Sequence, residues 1–301
     1  MIVTPDGDSC WLVVLGDGMT PALSTRVHAL RQTLEELRPV WLLETVPGYC
    51  TLGLVTRSPV TQDVVESAIR TALARCDQES RGAHRTVTVP VCYGGAFGPD
   101  LDDVAAYAGI TPDEVIHRHA ASRCTCAMVG FLPGFPYLTG LDPSLATPRR
   151  ATPRVSVPAG SVGIAGAQTG IYPTASPGGW NIIGQTPIVL FDAGRPSPSL
   201  IQPGDQVQFA PVSPDEYRRV AGDVLCAPVT SEAPARPGLQ VVEPGFATTV
   251  QDGGRWGMQA QGIPVSGAMD LQAFALGNIL IGNDPACAAL EITCSGPTLL
   301  A

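Results

Sequence analysis

From Ala151 onward the sequence breaks into apolar runs of three or four residues, with glycine or proline in nearly every gap. Val155–Val157, Val162–Ala165, Gly170–Tyr172, Trp180–Ile183, Ile188–Phe191 and Val207–Phe209 are too short for helices and are bounded by turn residues, so they read as strands. Short strands punctuated in this way fit a small closed barrel. The 33 Gly and 29 Pro among 301 residues argue the same way, because both residues interrupt long regular helices.

The first third has a different texture. Cys10–Leu15 is an apolar run, and Thr20 before Pro21 marks a helix start. Leu23, Val27, Leu30, Leu34 and Leu37 then recur at helical spacing until Pro39. Val40–Val46 and Cys50–Thr56 read as strands parted by Pro47-Gly48, and a helix follows over Asp63–Ala74. This β-α-β-β-α order fits a ferredoxin-like or related two-layer unit. Arg85–Tyr93 reads as a strand and Leu101–Ala108 as a short helix. Thr111-Pro112-Asp113-Glu114 is a capping box opening a helix that runs to about Ser122. Ser213-Pro214-Asp215-Glu216 opens a last short helix, and PVTSEAPARP, Pro228–Pro237, has the composition of a linker. The expected fold class is α+β: an N-terminal ferredoxin-like α/β unit over 1–84, a barrel over 85–227, a linker over 228–238, and a partial β-rich domain over 239–301.

Composition removes several chemistries. The formal net charge of −9 leaves no basic footprint for nucleic acid or an anionic membrane. MIVTPDGDSC lacks the cationic and apolar regions of an export signal, and no apolar run is long enough to span a bilayer, so a cytoplasmic location is expected. Nine scattered cysteines fit buried thiols, with Cys124 and Cys126 on one face of a strand. No lysine occurs, and all 18 basic residues are arginine. An ordinary P-loop, a biotin attachment site, an imine-forming amine and a protein-kinase site all need that missing lysine. Any bound anion must therefore be held by arginine or by main-chain N–H groups.

Two stretches look built to hold something. GFLPGFPYLTGLDP, Gly130–Pro143, places three aromatics, three glycines and three prolines in 14 residues, including Phe131, Phe135 and Tyr137. GAQTGIYPTASPGGW, Gly166–Trp180, repeats that logic: Gln168 offers a donor and an acceptor, Tyr172 and Trp180 give flat walls, and Ser176 to Gly179 brings main chain close. Arg149, Arg150 and Arg154 flank it and could clamp a carboxylate or phosphate. N–H groups around Gly160 and Ser161 could cradle an oxyanion, although a tight turn needs the same small residues. Together these suggest a small anionic ligand, against the alternative that the aromatics plug a small barrel. His117 and His119 stand two apart on a helix and so cannot share a metal; each reads as exposed or capping, and no metal is expected. No G-x-S-x-G elbow occurs, and the catalytic residues are not specified at this level.

The stretch Val89–Asp192, with VPVCYGGAFGPDLDDVA, GFLPGFPYLTGLDPSLATPRRATPRVSVPAGSVGIAGAQTGIYP and SPGGWNIIGQTP, resembles the B subunit of 5-oxoprolinase, also described as allophanate hydrolase subunit 1 or as the Kip inhibitor of a histidine kinase. Leu239–Leu300, with EPGFATTVQDGGRWGMQAQGIPVSGAMD and LEITCSGPTL, resembles the beginning of the 5-oxoprolinase C subunit, or allophanate hydrolase subunit 2. Met258 and Ala260 stand where Tyr and His are common in that partner. The resemblance implies a cyclophilin-like barrel after about Arg85 and an active site shared with the partner's half, to which Gln251, Asp252, Arg255, Ser266 and Asp270 would belong. It also implies ATP-dependent hydrolysis of 5-oxoproline to glutamate, with the A and C subunits of a 5-oxoprolinase as partners. Its alternatives are the carboxyltransferase part of a urea carboxylase, with biotin on another chain, and a non-catalytic kinase inhibitor.

Overall fold

The computed structural model describes residues 1–76, 85–225 and 238–300. The linker expected over 228–238 lies outside the described residues except for Gly238. Contacts divide the chain into two compact units, Met1–Cys226 with Gly257–Ile263, and Ala227–Trp256 with Pro264–Ala301. The first unit contains separate hydrophobic cores for its sheet and for its barrel.

The sheet is built from β1 (Ile2–Pro5), β2 (Cys10–Val14), β3 (Leu42–Pro47) and β4 (Thr51–Thr56), in the antiparallel order β1-β2-β4-β3. Helices α1 (Pro21–Leu37) and α2 (Gln62–Cys76) complete this part. Thr20 caps α1 by accepting the Leu23 N–H at 3.3 Å, and Val27, Leu30 and Leu34 are wholly buried. Each such side chain contributes about 1.5–3 kcal/mol of burial. The helix stops at Arg38, whose φ of 45° is left-handed and whose N–H returns to the Leu34 carbonyl at 3.0 Å. The strand expected from Val40 begins at Leu42 instead, because the Leu42 N–H turns back onto the Pro39 carbonyl at 2.9 Å and leaves Val40 exposed. The expected β-α-β-β-α order is present, with β1 added before it; with Val3 its one buried residue, β1 carries little apolar signal.

The remaining elements of this unit are β5 (Thr86–Tyr93), α3 (Leu101–Ala108), α4 (Pro112–Ala121), β6 (Cys124–Val129), β7 (Pro136–Thr139), β8 (Arg154–Val157), β9 (Ser161–Ala165), β10 (Gln168–Ile171), β11 (Ser176–Gly178), β12 (Asn181–Gln185), β13 (Gln206–Pro211) and α5 (Pro214–Leu225). Seven of the strands close a barrel in the order β10-β7-β6-β13-β5-β12-β9. Its core includes Val89, Leu138, Ile164, Ile171, Ile183 and Phe209. Cys124 and Cys126 are both buried, as their alternation requires.

Three expectations about the wall need correction. Val155–Val157 falls in β8, which pairs with β11 in a separate two-stranded sheet and takes no place in the wall. Ile188–Phe191 is not a strand: it follows Pro187, makes only an isolated bridge from Phe191 to Ser199, and sends Ile188 and Leu190 into the core. Conversely, Pro136–Thr139, inside the aromatic loop, is the barrel strand β7; its proline stands at the first position, where strands tolerate it.

In the second unit β14 (Gln240–Glu243) pairs with β17 (Thr298–Leu300), and β15 (Ala247–Gln251) pairs with β16 (Ala289–Thr293), both antiparallel. Asp270 caps α6 (Leu271–Leu280) by accepting the N–H groups of Gln272 and Ala273 at 3.0 and 2.8 Å. No helix among the described residues is long and apolar enough to cross a membrane.

Candidate functional site

The loop between β6 and β7 is a tight turn: Gly130 donates to the Phe135 carbonyl at 3.1 Å, and Phe135 donates to that of Leu132 at 3.0 Å. The turn forces Phe131 to a φ of 66° and leaves it 65% exposed, while Phe135 is 1% exposed. Phe135 is the hub of the aromatic residues, with ring centres 4.8 Å from Tyr137, 5.1 Å from Tyr172, 5.6 Å from Trp180 and 5.9 Å from Phe131. Phe135, Tyr172 and Trp180 are therefore packing residues with Val157 and Ile182 around them. Tyr137 is only half-buried and faces Tyr49 edge-on at 6.3 Å.

Tyr49 carries no signal of a site residue in the sequence. It lies in the turn between β3 and β4 and reaches the barrel strands from the neighbouring sheet. Its hydroxyl is hydrogen-bonded to Gln168, whose amide also donates to the Met19 sulfur at 3.2 Å. Burial raises the phenols of Tyr49, Tyr137 and Tyr172 above their ordinary values, with the charge of Arg149 pulling each the other way. All three are thus neutral hydroxyls at physiological pH. Arg149 is exposed and has no hydrogen-bonded or ionic side-chain partner among the described residues.

Arg150 and Arg154 are placed differently. Both pair with Asp100, which is 2% exposed at the start of α3: Arg150 Nη1 reaches Oδ1 at 2.8 Å, and Arg154 donates through Nη2 to Oδ1 at 2.7 Å and through Nη1 to Oδ2 at 2.8 Å. Asp100 Oδ2 also accepts the Ile182 N–H at 2.7 Å, which ties α3 to β12. The Arg154 fork is therefore engaged by a protein carboxylate. The one sequence signal for Asp100 is its place in GPDLDD just before a helix, but a cap is the simpler use there, and its carboxylate makes no cap bond.

The small residues also have internal duties. Gly160 sits at a φ of 79°, where a Cβ would run into the Thr186 carbonyl, and its N–H donates to the Tyr172 carbonyl at 2.7 Å. The Ser161 N–H donates to the Pro158 carbonyl at 3.3 Å, so the two N–H groups suggested for an oxyanion are directed at protein oxygens. A Cβ on Gly178 would meet the Tyr172 ring and hydroxyl. Ser176 is buried, with its hydroxyl 3.4 Å from the Pro177 carbonyl.

His119 is the clearest departure from expectation: it is wholly buried, while His117 is exposed. Its Nδ1 lies 2.8 Å from the Tyr93 hydroxyl and its Nε2 lies 2.9 Å from Thr169 Oγ1. Thr169 spends its proton on the Gly163 carbonyl at 3.0 Å, so it accepts from Nε2–H, and Tyr93 donates to Nδ1. Burial pushes the imidazole down to about 3, keeping it neutral. Nothing in a single sequence distinguishes such a histidine from an exposed one two residues away.

In the second unit, the residues attributed to the partner's half serve local turns. Asp252 Oδ1 accepts the Gly254 N–H at 2.8 Å, the Arg255 N–H donates to the Val265 carbonyl at 2.8 Å, and Ser266 has a φ of 53°. Gln251 and Asp270 do come together, with Phe274 and Asn278, around one cavity of about 400 Å3.

Comparison with known proteins gives this geometry its context. Residues 1–201 match the carboxyltransferase domain, subdomains C and D, and residues 261–301 match its subdomains A and B. The 5-oxoprolinase B subunit of Bacillus subtilis (strain 168) is 38% identical over 224 residues, covering 70% of this chain and 92% of that protein. The 5-oxoprolinase C subunit of Escherichia coli (strain K12) is 49% identical over 55 residues, or 18% of each chain. The crystal structure of TTHA0988 superposes with a TM-score of 0.78 at 32% identity over 96% of this chain, which spans 56% of the length of that one. The aromatic hub, the Asp100 cluster and six of the seven barrel strands lie within the matched residues 1–201, and the chain belongs to the family of the 5-oxoprolinase B subunit, continued by a segment related to the C subunit.

Proposed function

We propose that the chain is a component of an ATP-dependent 5-oxoprolinase, acting with A-type and C-type subunits to convert 5-oxoproline to glutamate. The reading is supported by the relation to the B-type proteins, and the ligand part of it rests on Arg149, a guanidinium without a protein partner among the described residues, beside three neutral phenols. 5-Oxoproline is a small anion carrying one lactam. Its carboxylate would pair with Arg149, and its amide N–H and C=O would match the acceptor and donor of Gln168. Gln168 is available for this exchange because one of its bonds goes only to the Met19 thioether, a weak acceptor.

A lactam resists water because amide resonance quiets its carbonyl. Transfer of a phosphoryl group from ATP to the amide oxygen would remove that protection. Water would add to the activated carbon; cleavage of the C–N bond in the adduct, with the nitrogen leaving as the amine, would open the ring to an acyl phosphate, and a second water would hydrolyse that to glutamate and phosphate. The residues around Gln168 fit the lactam and not a triphosphate, since Arg150 and Arg154 are already held by Asp100. ATP is therefore assigned to the partner proteins in this reading, and this chain orients the cyclic amide. Reconstitution with A-type and C-type subunits tests it: ATP-dependent glutamate release is expected and should fall in Arg149→Gln. Failure of the assembled proteins to release glutamate, or full activity in Arg149→Gln, would overturn it.

A further inference from the structure

Away from the aromatic residues, the first unit contains a cavity of about 550 Å3 between the end of α1, the start of β3 and the loop at Gln202. Among the described residues, three arginines line it, Arg31, Arg38 and Arg57, with two carboxylates, Glu35 and Glu44. Both carboxylates are already engaged. Glu35 Oε1 accepts from Arg31 Nε at 2.8 Å and from the Thr45 hydroxyl at 2.6 Å, and Glu44 takes the main-chain and side-chain N–H groups of Gln259 at 3.1 and 2.7 Å. Arg38 and Arg57 have no side-chain partner among the described residues.

Arg38 is an unusual choice for its position. It occupies the left-handed cap of α1 at a φ of 45°, where glycine carries no steric penalty and arginine does. Its capping bond comes from the main-chain N–H, so the fold gains nothing there from the guanidinium that a glycine would lose. A strained arginine turned toward a cavity beside a second unpaired arginine, in a chain of net charge −9, is an arrangement for binding an anion. The helix presents its carbonyl end here, which repels anions, so the charge must come from the side chains. Among the described residues no aromatic ring lines the cavity, which gives a nucleobase no platform there.

We propose that this cavity binds a compact phosphate-bearing anion through Arg38 and Arg57. The proposal does not depend on the 5-oxoprolinase reading. Calorimetric titration of the full chain with inorganic phosphate tests it, alongside Arg38→Gly and Arg57→Gln. Saturable binding is expected, weakened at least about tenfold in each variant, while the melting temperature of Arg38→Gly holds or rises because glycine suits the cap. Absence of saturable phosphate binding, binding of succinate in its place, or unchanged affinity in both variants would each overturn the proposal.

Discussion

Asp100 grips Arg154 through both carboxylate oxygens, at 2.7 and 2.8 Å, from a position 54 residues earlier in the chain. The pair, with Arg150 and the Ile182 N–H, fastens α3 and β8 to the barrel wall. Removing the buried carboxylate by Asp100→Asn should therefore destabilise the fold by about 3 kcal/mol, the lower part of the range for broken buried pairs, because both arginines keep some solvent. Denaturant melts of Asp100→Asn and Arg154→Lys should both show a loss. A wild-type midpoint in both would contradict the assignment.

Arg149 should behave in the opposite way. Arg149→Gln removes a cation that no described side chain neutralises, so stability should change by less than about 0.5 kcal/mol. Affinity for 5-oxoproline in the assembled complex should fall by about 1.5–3 kcal/mol, the usual worth of a hydrogen bond to a charged group. A large drop in melting temperature with intact affinity would make Arg149 a packing residue.

Gln168→Ala deletes the amide that bonds Tyr49 and Met19. Ligand affinity should weaken about tenfold or more if the amide reads the lactam. Tyr137→Phe tests the neighbouring hydroxyl in the same titration. Thermal shifts without any change of affinity in either variant would return these residues to the role of barrel plugs.

The buried imidazole of His119 supplies a pH signature. In the unfolded chain it titrates near about 6.5, and in the folded chain only near about 3. Between those values the unfolded state binds the extra proton, so the stability it confers is complete above about pH 6.5 and falls by about 1.4 kcal/mol for each unit of acidification below it. Chemical denaturation at pH 7.5 and pH 5 should show this difference, and His119→Gln should flatten it. Equal slopes in the two proteins would show that the acid sensitivity comes from other groups.

The elements legible in the sequence are those with strong local signals: α1 between Thr20 and Pro39, α4 behind its capping box, and the alternating Cys124 and Cys126. β7 and β11 are hidden because proline and glycine within them suggest loops until a neighbouring strand supplies their partners. Of the site, Tyr137, Arg149 and Gln168 stand out by chemical type. Tyr49 does not, because it comes from the neighbouring sheet and meets Tyr137 only in three dimensions. The arginines near 150 look alike in sequence; Asp100, far upstream, separates their roles.

Among the described residues, β5 and β13 make the one parallel pairing of the barrel, from Gln206 opposite Thr86 to Pro211 opposite Val91. Arg85 and Asp205, 120 residues apart, staple the start of that seam. Because β13 follows every other strand of the wall, the ring cannot close during synthesis until β13 has emerged from the ribosome. The four-stranded sheet with α1 and α2 is complete long before. This sequence separation makes closure of the seam the slow, high-contact-order event in folding, and until it happens the edge of β5 that pairs with β13 is open to other chains.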